Sequence, residues 1–285
     1  MTVPTLPETR VLRLLCQMVR RYLRHRVATT GAALAFYLLF TLFPFLIFVS
    51  ALLGMLRLDV AAILAALGEI LPRQILELAE LYLNHVGENS SVRLLVFGLV
   101  FSVYFPMRAT NLLLRAVRTA YHLGPPRRAV LHWVRTLTYT LLLIAAIALT
   151  LVLLSVSDRA LRYAVTQLGL PPLAAWLWDR LRFPLIGAAG FFALFFLYAA
   201  AQDVRQPWRN IWPGSLAALA GWMTISWLYA WYVENIAHYS ALYGSIGAVI
   251  VLMIWLHLGA AVLILGAELN GAIIALRKDS MPDLA

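Results

Sequence analysis

Charge is what this chain has least of. Asp, Glu, Lys and Arg make up 13% of its 285 residues, against about a quarter in soluble domains. That deficit, beside 62% hydrophobic residues, excludes an ordinary soluble fold and points to a polytopic membrane protein. Cysteine is nearly absent: Cys16 stands alone, so no intrachain disulfide and no cysteine-based zinc site can form. Residues 1–26 offer neither an uninterrupted apolar core nor a small-residue cleavage site, so the first span is expected to act as its own targeting signal. There is no HExxH, no G-x-S-x-G and no P-loop, which removes the commonest hydrolytic and ATP-driven chemistries. The sequence calls for no cofactor and no metal. Any transport would be passive, ion-coupled or driven by a partner.

Long apolar runs are what the chain has instead. From Ile246 to Leu265 there is no formal charge, and twenty residues at about 1.5 Å each cross the roughly 30 Å hydrocarbon slab. The same reasoning places spans at about 29–56, 92–107, 136–156, 183–201, 211–233 and 246–268. The expected fold class is therefore all-α: six transmembrane helices (29–276) with amphipathic interfacial helices and a short tail, 277–285. Pro44 should kink the first span.

Three amphipathic stretches accompany the spans. Residues 1–28 contain a basic helix with Arg10, Arg13, Gln17, Arg20, Arg21 and Arg24 on one side and Leu12, Leu15, Val19 and Leu23 on the other. It either lies on an anionic leaflet or packs under the bundle with a solvated basic face. In 60–86, Glu69, Arg73, Glu77, Glu80 and Asn84 form one polar stripe. Arg108, Asn111, Arg115, Arg118 and His122 recur at three and four, extending the second span along the inner surface until Gly124-Pro125-Pro126.

The net charge of +10 could suggest nucleic acid, but its placement argues for topology. With both termini inside, most of the 23 basic residues fall in inner segments and most acids outside, as the positive-inside rule requires. The expected location is a bacterial inner membrane, crossed several times, with cytoplasmic termini. Expected partners are membrane lipids, with anionic headgroups at the cytoplasmic leaflet, and no nucleic acid.

Polar groups at membrane depth are costly, about 2.5–3.5 kcal/mol for a charge at a helix centre, so each needs a reason. Glu268 near the end of the sixth span and Arg108 near the end of the second are expected at similar depth and could pair. Asn111 and Asn270 would complete the hydrogen bonds, as a gate or as a structural clamp. Tyr37 and Thr41 share a face with Pro44. Weaker candidates are His257, a mid-membrane histidine expected to bond a neighbouring helix, and Glu234 with His238, one helical turn apart but lacking further ligands.

Three stretches, GAALAFYLLFTLFPFL (31–46), PWRNIWPGSLAALAGW (207–222) and YGSIGAVIVLMIWLHLGAAVLILGAELN (243–270), together with FPMRATNLLLRA around Arg108, resemble the YihY/virulence factor BrkB family of bacterial inner-membrane proteins. The resemblance implies six spans with cytoplasmic termini. It carries discordant functional labels, among them virulence factor, envelope-integrity protein and ribonuclease BN, and supplies no catalytic residues. The leading expectation is a transporter-like protein for a lipid or envelope-related solute, not an enzyme. A non-transporting scaffold that docks an envelope protein partner through 60–86 and 158–181 is the alternative, and a tRNA-processing nuclease a distant one.

Overall fold

The computed structural model describes residues 10–56, 91–124, 126, 129–155, 173–202, 207–235 and 245–279. Among them all regular structure is helical. We label the α-helices α1 (Arg10–Arg24), α2 (Val27–Leu56), α3 (Val92–Ala120), α4 (Ala129–Ser155), α5 (Leu173–Ala200), α6 (Trp212–Asn235) and α7 (Ser245–Asp279); a 3-10 turn, Trp208–Asn210, leads into α6. Six of these are long and apolar enough to cross a membrane.

The helices overrun the apolar stretches that announce them. Hydropathy ends the second span at Met107, yet α3 continues unbroken to Ala120. Its 29 residues reach about 43 Å at 1.5 Å each, well beyond the roughly 30 Å slab. Similarly, α4 starts at Ala129 and α7 runs through Glu268 to Asp279. Pro44, Pro106 and Pro184 sit inside α2, α3 and α5 without ending them, as membrane helices tolerate. The stripe at 60–86 and most of the 158–181 connector lie outside the described residues.

The chain forms two compact units. One comprises Met1–Tyr37, Arg108–Thr136 and Leu194–Ala285; the other comprises Leu38–Met107 and Leu137–Ala193. In the second unit, α2 and α3 meet at Gly98, where a Cβ would come 2.5 Å from the Phe48 amide nitrogen. Phe97, Phe101 and Phe105 stack along α3, with Phe40 of α2 6.0 Å from Phe105. Half-exposed aromatic and aliphatic side chains such as Phe43, Phe97 and Leu142 are ordinary where the solvent is lipid.

In the first unit, α6 and α7 share the most extensive interface, and α1 packs on α7. The α6–α7 contact is made by small residues. A Cβ on Gly214 would run into the Gly266 carbonyl oxygen, and one on Gly266 would lie 2.6 Å from the Ala218 Cβ. Two side chains close over this seam: Tyr198 of α5 donates to the Leu263 carbonyl at 2.5 Å, and Trp255 Nε1 donates to Ser226 at 3.1 Å.

The basic helix α1 packs on α7. Leu12, Leu15, Val19 and Leu23 are exposed, while Arg21, on the opposite face, is 9% exposed and points into the unit. Arg13, Arg20 and Arg24 flank the two faces in the open. The helix therefore presents its apolar stripe outward and its most buried arginine inward.

Candidate polar site at the helix ends

Four chain segments converge on Glu268, the most buried acid among the described residues of the first unit. Its side chain is 0% exposed. Arg21 Nη1 donates to Oε2 at 3.1 Å, and His25 Nδ1 to Oε1 at 2.5 Å. Both carboxylate oxygens are thus taken by groups from α1 and the turn that follows it. The partner expected from sequence was Arg108; the partners found are Arg21, in an ion pair, and His25, in a hydrogen bond. The reason is the length of α3. Glu268 is level with Ala120, because Arg21 bonds both, and about 18 Å of helix rise separates Arg108 from Ala120.

Arg21 holds more than the acid. Nη1 donates to the Ala120 carbonyl at 3.0 Å, and Nη2 to the Gly271 carbonyl at 3.3 Å and to His122 Nε2 at 3.2 Å. Ala120 is the last residue of α3, so one guanidinium satisfies carbonyls of two helices, one at its terminus. Arg118 does the same one turn earlier. Its Nε and Nη2 donate to the Gly124 carbonyl at 3.1 and 2.6 Å, and its Nη1 to Ala201 at 2.9 Å, just past α5. Sequence periodicity had put Arg118 on a surface stripe; it is 6% exposed.

The turns that deliver these side chains are conformationally costly. Arg26 and His122 are the only non-glycine residues with positive φ among the described residues, at 52° and 56°. At the end of α3, the Leu123 amide bonds the Arg118 carbonyl and the His122 amide bonds Thr119. This is a Schellman cap, whose left-handed position usually holds glycine. Histidine there costs about 1 kcal/mol or more. In return the ring accepts from Arg21 and meets His25 edge-to-face at 5.9 Å.

A guanidinium can only donate, so His122 Nε2 must be unprotonated. Burial first, then the charges of Arg21, His25 and Arg24, hold the His122 pKa below its ordinary 6.5, against an opposing pull from Glu268. The sign follows. Between 6.5 and the lower folded value the unfolded chain binds more protons, so stability is complete above about pH 6.5 and is lost as pH falls through that window. Melting curves from pH 7.5 to 5 should therefore slope more steeply for the native protein than for His122→Asn, which tolerates the left-handed turn and cannot be protonated. Parallel curves would refute the assignment. Nearby, burial also pushes the Tyr121 hydroxyl well above its usual range, keeping it protonated to donate to the Asn210 carbonyl at 3.4 Å.

Asn270 lies two residues beyond Glu268 and serves α6. Its Oδ1 accepts from the Gly214 amide at 2.7 Å, and its Nδ2 donates to the Ile211 carbonyl at 2.8 Å. The start of α6 has an isoleucine where a capping side chain would stand and a proline, without an amide proton, at its second position. A side chain from another helix supplies the cap.

Beside Glu268 opens a cavity of about 130 Å³ whose polar lining is His25, Thr30, Arg115, Thr119 and Glu268. The other sequence candidates are dispersed. Asn111 accepts from His132 Nε2 at 3.0 Å, and Arg108 is exposed on α3. Tyr37 is in the first unit, 5.7 Å from the Phe36 ring; Thr41 belongs to the second. His257 was expected to bond a neighbouring helix. Its buried Nδ1 has no hydrogen-bond partner among the described residues and faces Gly31. Glu234 is exposed near the end of α6, and His238 lies outside the described residues. Arg21, His25 and His122 are the participants that sequence reasoning missed.

The family model for virulence factor BrkB matches residues 18–283. A ribonuclease-like protein of Bacillus subtilis (strain 168), YfkH, is 31% identical over 270 residues, covering 94% of this chain and 96% of its own. A UPF0761 membrane protein of Chromohalobacter salexigens is 29% identical over 92% of this chain and 63% of its own length. A second UPF0761 membrane protein, from Alkalilimnicola ehrlichii, is 40% identical over 28% of this chain and 18% of its own. No solved structure matches.

Proposed function

Because the chain belongs to the virulence factor BrkB family of integral membrane proteins, we propose that it is a transporter-like protein for a lipid or other envelope-related solute, gated at the end of the bundle where Glu268 lies. We place that end at the cytoplasmic face of a bacterial inner membrane, following the distribution of arginine. The observation that carries the proposal is the Glu268 carboxylate, fully buried and held by Arg21 of α1 and His25 of the turn that follows it, both ahead of the first span. A buried ion pair adds little stability over well-packed apolar residues, so its presence at the mouth of a cavity suits a device that opens. Arg21 and His25 sit on α1 and its turn, whose exposed apolar stripe and flanking arginines suit an anionic leaflet. Movement of α1 in the interface would draw both groups from the acid and widen the cavity. The ribonuclease-like label belongs to YfkH, and we assign this chain no enzymatic activity.

The test is reconstitution into liposomes, following fluorescent phospholipids and soluble anions across the bilayer. Glu268→Gln keeps the shape and one acceptor oxygen but removes the charge and turns the other position into a donor. It should insert normally and lower flux at least about tenfold, which is about 1.4 kcal/mol in the rate-limiting step. Undiminished flux in that variant would remove Glu268 from the mechanism, and absence of flux with every lipid and solute would remove transport itself.

A further inference from the structure

The cavity beside Glu268 contains donors that the protein does not use. Glu268 has both oxygens occupied, by Arg21 and His25, and Thr119 spends its hydroxyl on the Arg115 carbonyl at 3.0 Å. The Arg115 guanidinium and the Thr30 hydroxyl line the same space and, among the described residues, make no hydrogen bond or ion pair. Their charge is not balanced either. Arg21 and Glu268 cancel, so Arg115 leaves the cavity with a positive surplus, increased whenever His25 is protonated. A hole lined by spare donors and surplus positive charge selects an anion.

Size and depth narrow the class. About 130 Å³ corresponds to roughly four waters by liquid volume, room for one tetrahedral oxyanion. The fork of an arginine matches phosphate oxygens in pairs, and a threonine hydroxyl can serve a further one. Counted from Val92, α3 passes the length of a roughly 30 Å slab before it reaches Arg115, which suits the depth of lipid headgroups. We propose that it binds a phosphomonoester group, carried either by a lipid or by a soluble molecule, between Arg115 and Thr30. This rests on the transport reading only for what the bound group is for.

The test uses the full chain in maltoside micelles, which bring no phosphate, with thermal unfolding as the readout. The probes are inorganic phosphate, against chloride at equal ionic strength, and phosphatidic acid, against dioleoylglycerol. A saturable rise in Tm is expected with at least one probe. Arg115→Gln should shift the half-saturating concentration about 10- to 100-fold upward and Thr30→Val about 2- to 10-fold, the range for losing a charged and a neutral hydrogen bond. A response to phosphatidic acid alone identifies a lipid as the source; a response to inorganic phosphate identifies the free group as sufficient. The proposal is overturned if neither probe exceeds its control, or if Arg115→Gln responds at the same concentration as the native protein. Flux in liposomes without Arg115-dependent binding would sink this site and leave transport standing. Arg115-dependent binding without any flux would do the reverse.

Discussion

Glu268→Ala is expected to cost about 3–5 kcal/mol, the range for removing one partner of a buried ion pair. At that size the melting temperature falls by roughly 6 °C or more. The loss comes from what remains. Arg21 keeps the Ala120 and Gly271 carbonyls and His122, but its charge has no acid near it, and His25 loses its acceptor. Arg21→Ala should be comparably severe for a different reason: Glu268 retains His25, but two helix carbonyls lose their donor. A double-mutant cycle separates these losses from the pair. Arg21→Leu with Glu268→Leu should be less damaging than the sum of the single changes by about 1–3 kcal/mol, because the apolar pair leaves neither charge stranded. Additive effects in SDS or thermal unfolding would show that the two side chains do not depend on each other. Glu268→Gln should fall well short of the alanine loss, since an amide oxygen still accepts from Arg21. Its effect should appear in flux more than in folding.

The acid itself was legible. A carboxylate in an otherwise uncharged run needs a partner, and that rule singled out Glu268. The partner was misjudged because hydropathy reports where apolar residues stop, not where a helix stops. Met107 ends the apolar run, but the backbone continues to Ala120, and the terminator visible in sequence, Gly124-Pro125-Pro126, lies further on. Had the helix end been taken from that terminator, Arg108 would have been placed too deep to meet Glu268. Arg21 was hidden differently. It is one of five arginines on a basic helix, and periodicity gives it no distinction until one asks which face meets lipid. If Leu12, Leu15, Val19 and Leu23 do, the residue opposite them must meet protein, and that residue is Arg21. His122 carried a signal that only coordinates reveal, a left-handed backbone at a helix end where glycine would be easier. The six spans were legible because slab thickness sets them. The meeting of four chain ends was not, since it depends on tertiary contacts with no local pattern.

Gly214→Val should be the most disruptive single change in the α6–α7 interface. Any Cβ at position 214 collides with the Gly266 carbonyl oxygen and would lie 2.5 Å from Asn270 Cγ and Nδ2. Neither obstacle is a flexible chain end: one is backbone and the other is a side chain fixed at both of its polar atoms. The helices must separate, which costs about 1–3 kcal/mol for overpacking. Separation also breaks the cap on α6, adding about 1–3 kcal/mol for each buried group left unpaired. Asn270→Ala isolates the second part. It leaves the backbone contact between Gly214 and Gly266 in place but leaves the Gly214 amide without its acceptor, and neither Ile211 nor Pro213 can replace it. A loss of about 1–3 kcal/mol is expected for Asn270→Ala, and clearly more for Gly214→Val. The decisive comparison is Asn270→Asp, which keeps an oxygen for the Gly214 amide and loses the donor to Ile211. If it is as stable as the native protein, the acceptor alone caps the helix. If it matches Asn270→Ala, burying an unpaired carboxylate beside the Ile211 carbonyl outweighs the bond it preserves. Native-like stability in Gly214→Val would mean that α6 and α7 are not in the close contact from which this part of the structure is built.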